Sequence, residues 1–224
     1  MVILATKVYV KGEARDRALD SLESLVANDL ADLEAEFTLG LRDDGFPSVT
    51  LTGEDAPAAR SLLTEEWGAI TPHREAGETY VGTLDSWDDD GFVLDAGTSV
   101  RIPSDEFGLG QGSPSQIRKR FGLVQHMPLR FVEGDEGEPA RLADEERDRL
   151  YEWTRGTGRV NVNSATRAEV RATVNRSGHP HDIVTVERLG LLEQSIVCRE
   201  ETDAPGLLSD IGPHLQAELL AVVP

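Results

Sequence analysis

Gly77-Glu78-Thr79-Tyr80-Val81-Gly82-Thr83-Leu84-Asp85-Ser86-Trp87, the turn Asp88-Asp89-Asp90-Gly91, and Phe92-Val93-Leu94-Asp95-Ala96-Gly97 decide how this chain is read. Two β-rich runs flank a polar turn ending in glycine, which is a hairpin signal. A third run, Thr98-Ser99-Val100-Arg101-Ile102-Pro103, follows at once. Then come Gly108, Gly110 and Gly112, a short basic helix from Ser115 to Phe121, and another run from Leu129 to Val132. Strands this short and this closely spaced bury an apolar face only by curling onto themselves, so they predict a small closed β-barrel.

Three strands, a small helix and further strands point to the OB type of barrel, with Ala140-Arg141-Leu142 as its last strand. Upstream, Ile3–Val10 reads as a strand. Ala14–Leu33 carries Ala18, Leu19, Leu22, Leu25, Val26, Leu30 and Leu33 on a helical period. Glu34–Leu41 and Phe46–Gly53 alternate around Arg42-Asp43-Asp44-Gly45. Asp55 is placed to cap a helix with Pro57 in its first turn. This β-α-β-β-α order predicts a ferredoxin-like unit that lacks its last strand. Downstream, a linking helix starts at Asp144. The rest reads β-α-β-β-α-β, the full ferredoxin-like order, with its last helix either interrupted by Pro213 or ending in a tight turn near it. The expected class is therefore α+β: a ferredoxin-like domain over 1–70, an OB-type barrel over 77–142, a linking helix over 143–157 and a second ferredoxin-like domain over 158–224.

The 224 residues hold 41 acidic and 22 basic side chains, a net charge of −19, and only three of the basic ones are lysines. High acid with scarce lysine resembles the proteins of salt-in halophilic archaea, where carboxylates hold water and molar salt screens repulsion to about 3 Å. Residues 1–97 carry 7 basic and 21 acidic side chains. That distribution reads as a solvated face and turns nucleic acid away from this part. A single cysteine, Cys198, rules out an intrachain disulfide and a multi-cysteine metal site, and its apolar run predicts a buried thiol. No stretch reaches eighteen apolar residues and no signal pattern opens the chain, so a soluble, cytoplasmic protein without a membrane partner is expected.

Against that background Thr98–Val132 stands out, with five basic residues to two acidic. Arginine forks grip phosphate and aromatic rings stack on bases. The expected nucleic-acid-binding residues are Arg101, Arg118, Lys119, Arg120, Phe121, His126 and Arg130. The competing reading makes the phenylalanines core and pairs the arginines with acidic neighbours. Arg167, Arg171 and Arg176 share only part of one helix face. His179-Pro180-His181-Asp182 reads as a turn, since no third distant histidine completes a metal set. There is no Gly-x-Ser-x-Gly, phosphate loop, His-Glu-x-x-His or dinucleotide fingerprint. No enzyme, metal or cofactor is expected.

The pattern Val-Gly-x-Leu followed by Gly-Phe-Val-Leu-Asp-x-Gly resembles the S-one type of RNA-binding OB barrel, over about a quarter of the chain. Asp203-Ala204-Pro205-Gly206-Leu207-Leu208 is similar to a signature of ACT domains, small amino-acid-binding regulatory units, but sits before the last strand instead of after the first. The whole chain resembles an archaeal family known as a domain of unknown function. The segments that carry this are Leu51-Thr52-Gly53-Glu54-Asp55, Arg120–Leu129, Ser177-Gly178-His179, Asp182–Glu193 and Thr202–Leu207. That resemblance transfers no catalytic residue. The expected function is a non-enzymatic RNA-binding adaptor in archaeal RNA metabolism or translation. The alternatives are a protein-interaction scaffold on a ribosome or polymerase, and a small-ligand sensor at Gly206.

Overall fold

The computed structural model describes residues 1–224. It is a mixed α+β protein with three antiparallel sheets, one of them curled into a half-barrel.

The first sheet is built from β1 (Val2–Ile3), β2 (Glu36–Leu41) and β3 (Pro47–Thr52), in the order β1-β3-β2. Helices α1 (Glu13–Asp29) and α2 (Ala56–Trp67) cover it. Ala18, Leu22 and Val26 form the buried stripe of α1, as the helical period predicts. The expected strand over Ile3–Val10 stops early. Ala5 N–H donates to Gly68 O at 3.2 Å and Val8 N–H to Gly45 O at 2.9 Å, so this backbone is satisfied by loops rather than by a ladder. Nor is a fourth strand wholly lacking. Leu4 bridges Ala69, and Ile70 N–H donates to Ile3 O at 2.8 Å. The expected cap also differs: the Asp55 carboxylate accepts from Glu34 N–H at 2.8 Å and makes no cap bond to α2.

The second sheet runs β6-β5-β4-β7-β8, from β4 (Thr79–Trp87), β5 (Gly91–Asp95), β6 (Ser99–Pro103), β7 (Pro128–Val132) and β8 (Arg141–Leu142). A register shift between Leu84 and Ser86 bends β4. Gly91 is required where the hairpin tightens, because a Cβ there would overlap Ile102 O. Helix α3 (Pro114–Arg120) starts with a capping box between Ser113 and Gln116. Inside the curl Phe92 stacks on Phe107 at 4.0 Å, beside Phe121 and Phe131, all buried. Helix α4 (Asp144–Trp153), read from the sequence as a linker, packs Leu150 and Trp153 into this same core.

The third sheet runs β10-β11-β9-β12, from β9 (Arg159–Val162), β10 (Ile183–Arg188), β11 (Gln194–Cys198) and β12 (Leu219–Val222). Helices α5 (Arg167–Arg176) and α6 (Ala204–Ile211) cover one face. Cys198 lies in that core, and burial pushes its thiol up to about 11. Pro213 sits in a short 3-10 turn after α6. His179 makes the expected turn, with Nδ1 2.6 Å from Asp182 and Nε2 3.1 Å from Asp210. No helix is long and apolar enough to cross a membrane.

The three sheets are joined by both apolar and charged contacts. Leu191 and Leu192 insert into the first core, and Val222 into the half-barrel core. Lys7 pairs with Asp95 at 2.5 Å, Arg17 with Glu169 at 2.8 Å and Arg118 with Glu218 at 2.5 Å, while Arg188 pairs with Glu66.

Candidate interaction surface

The seven residues singled out by charge and aromaticity do not form one face. Arg101, on β6, makes a two-pronged contact to Asp88 in the β4–β5 turn, at 2.8 and 2.7 Å. That guanidinium holds the Asp88 carboxyl well below the usual carboxylate range. Arg118 is buried. It donates to Leu123 O at 2.8 Å and to Glu218 at 2.5 Å, and lies 3.8 Å over the Trp87 ring. Arg120 straps the glycine loop by donating to Leu109 O and Gln111 O, at 3.4 and 2.8 Å. Phe121 is 1% exposed, with its ring edge-on to Tyr151 at 5.4 Å, so no base can reach it in this fold. Arg130, on β7, lies 3.6 Å from the fully buried Glu146. Lys119 and Arg120 are both exposed with no carboxylate partner, and of the two Lys119 alone makes no hydrogen bond.

His126 belongs elsewhere. It takes φ of +68°, unusual for a residue with a Cβ, and its ring lies 3.8 Å from that of Tyr9. Its Nδ1 is buried without a partner, and burial, helped by Lys7, lowers its pKa. Tyr9 joins the three sheets: its hydroxyl donates to Glu193 Oε1 at 2.6 Å and accepts from Ser164 N–H at 2.9 Å. Ser164 is also left-handed, at φ +56°. Glu193 is fully buried, Oε2 has no partner, and burial raises its pKa to about 8. Burial and the facing carboxyl push Tyr9 far above the ordinary phenol range. Sequence reasoning missed this joint. The only signal was a glutamate interrupting the apolar run Leu191-Leu192.

The charge left facing solvent on the half-barrel is acidic. Strand β4 ends in Asp88, Asp89 and Asp90, all exposed. At its other end the β7–β8 loop exposes Asp135, Glu136 and Glu138. Of these six only Asp88 is ion-paired. Nine residues of strand separate the two loops, roughly 27–30 Å. Strands β5 and β6 flank the Thr83–Trp87 half of β4, with Arg101 already neutralised. The Asp203–Gly206 turn forms the first turn of α6, with the Asp203 carboxylate against Gly206.

Family models match the chain from end to end: the DUF2110 N-terminal domain over residues 1–73, the central domain over 74–154 and the C-terminal domain over 157–223. The central match includes α4 with the half-barrel, in keeping with the packing of Leu150 and Trp153. Among curated proteins none matches the chain. Its three sheets, each within one of the three matched segments, therefore place the chain in the DUF2110 family, whose domains are of unknown function.

Proposed function

We propose that this protein is a non-enzymatic scaffold that docks a basic protein surface against the two acidic loops of its half-barrel. One observation carries the reading. The basic side chains of Thr98–Val132 are almost all engaged within the chain, while five of the six rim carboxylates have no partner. Opposite charge across an interface steers encounter and fixes register more than it adds affinity. Strand β4, hydrogen-bonded to β5 on one side and β7 on the other, keeps the two loops apart, which suits a platform.

Strand order supports a finer description of the fold. The order β12-β9-β11-β10 with helices α5 and α6 fits a ferredoxin-like sandwich, and β1-β3-β2 with the Ala69 bridge fits a reduced version. The order β6-β5-β4-β7-β8, with α3 between β6 and β7, fits an OB barrel. That order also supports a second reading, RNA on the β5–β6 face, for which Lys119 and Arg120 remain on the surface.

Co-purification from native cells with and without nuclease separates the two. Partners are expected to survive nuclease and to be lost when Asp89, Asp90, Asp135, Glu136 and Glu138 become Asn or Gln. These positions are exposed, so each change should alter stability by no more than about 0.5 kcal/mol. Partners lost to nuclease, together with direct RNA binding that falls with Lys119→Ala, would replace the scaffold reading by the RNA one.

The charge balance supports a halophilic, archaeal origin, and a salt response follows. Residues 1–97 carry most of the excess acid. Lowering KCl from molar to about 0.1 M lengthens screening from about 3 to about 10 Å. Hydrogen exchange is expected to open the α1–α2 sheet before the half-barrel. Uniform protection at low salt would remove the support for halophily.

A further inference from the structure

A cleft of about 680 Å³ opens where the three sheets meet. Its walls are the last turn of α2, the β4–β7 pair, α4 and the β10–β11 turn. This volume is ordinary for a small-molecule site, and a junction of domains is an ordinary place for one.

The charges around it are arranged in a particular way. On the α4 side Glu146 is fully buried and accepts from Arg149 Nε at 3.1 Å, with Arg130 3.6 Å away. One carboxylate thus serves two guanidiniums, and Glu145, exposed beside it without an ion pair, balances the charge of this wall. Arg130 is 45% exposed along its side chain and donates none of its side-chain N–H groups to a protein acceptor. In the same lining, the last turn of α2 carries Glu65 and Glu66 and no basic residue. The helix end is itself negative, so this wall favours a cation. Arg188 answers Glu66 and lies 4.0 Å over the Trp67 ring, while Glu65 has no ion pair. In the lining as a whole three arginines face three glutamates. A polyanion finds no excess of positive charge there, and an uncharged ligand leaves the Arg130 N–H groups without an acceptor and Glu65 without a cation.

We infer that the cleft binds a zwitterion, an α-amino acid with an apolar side chain. Its carboxylate meets Arg130 and Arg149, its ammonium meets Glu65 at the end of α2, and its side chain lies against Val81, Pro128 and Leu189. The site is remote in sequence from the Asp203–Gly206 turn, and it does not depend on the docking reading.

The test is calorimetry on the full chain, preceded by a thermal-shift screen of the twenty standard amino acids. The N-acetylated and amidated forms of each hit, and inorganic phosphate, are run alongside. A free apolar amino acid is expected to bind, with each blocked form at least tenfold weaker and phosphate without effect. Arg130→Gln and Glu65→Gln are each expected to weaken binding at least tenfold. Glu65 is exposed, so its variant carries the test if Arg130→Gln disturbs the fold. No binding at millimolar concentrations, blocked forms equal to the free acid, phosphate competing with it, or a Glu65→Gln protein that binds normally would each overturn the assignment.

Discussion

Raising the pH from about 4.5 to about 9 is expected to destabilise the fold by roughly 5 kcal/mol through Glu193 alone. The carboxyl is fully buried and its pKa stands near 8 in the folded chain, against 4.5 for an ordinary glutamate. Between those values the folded state holds a proton that the unfolded state has released. Stability from this group is therefore complete below about 4.5 and is lost as pH rises through about 8. Burial outweighs the hydrogen bonds that favour ionisation, from Tyr9 and from the Leu192 and Glu193 N–H groups. Tyr9 donates one hydrogen bond to Oε1, Oε2 has no partner, and Gly190 lies so close to Oε2 that a Cβ there would overlap it. Arginine-paired Asp88 and Asp144, and Glu169, whose pKa is lowered by Thr166 N–H and Arg17, act in the opposite sense. Their contribution is lost only as pH falls below the ordinary carboxylate range. His126, whose pKa burial lowers from 6.5, also loses its contribution as pH falls below that value, so it opposes Glu193 on the acid side of neutrality.

Glu193→Gln isolates the effect. The amide can still accept from Tyr9 and cannot ionise. Denaturant melts across this pH range should show the wild type declining from about 6.5 to about 9 and the variant without that decline, and a more stable variant at about pH 9. Parallel curves for the two proteins would show that Glu193 keeps an ordinary pKa. The first contacts to loosen at high pH should be those of Tyr9 with Ser164 and Glu193, because they share the ionising carboxyl.

Arg118→Ala is expected to cost about 3 kcal/mol or more, the scale set by breaking a buried ion pair. Its side chain is 7% exposed. Three contacts go at once: the pair with Glu218, the bond to Leu123 O and the stack on Trp87. Glu218 also accepts from Gln125 N–H at 2.8 Å, so it would lose a counter-ion while remaining fixed at the joint between the half-barrel and the third sheet. Lys119→Ala, one position on, should change stability by no more than about 0.5 kcal/mol. Urea melts of the two variants make the comparison, and hydrogen exchange at β12 locates the damage. Equal costs for the two would deny Arg118 its structural role. A triple substitution of Arg118, Lys119 and Arg120 tests binding poorly, since a fall in affinity would report on this joint as much as on any ligand.

Elements and their order were legible in the sequence because they depend on local chemistry. The Asp88-Asp89-Asp90-Gly91 turn, the helical period of α1 and the alternation of β10 and β11 need only neighbours within a few residues. Elements whose backbone partners are distant read less well. Ile3–Val10 has the composition of a strand, but its N–H groups find Gly68 and Gly45, and only the assembled chain brings those carbonyls within reach.

Charge behaved the same way. The sequence by itself established that Thr98–Val132 is locally basic and that the chain as a whole is acidic. It could not tell a free guanidinium from a paired one. Arg118 lies one hundred residues from Glu218, and Tyr9 lies 184 from Glu193. A charge's worth depends on its burial and its partner, and both are properties of three-dimensional position. Tertiary structure alone therefore decided that most of the basic segment is internal, that the solvent-facing rim is acidic, and that Glu193 carries its proton near neutral pH.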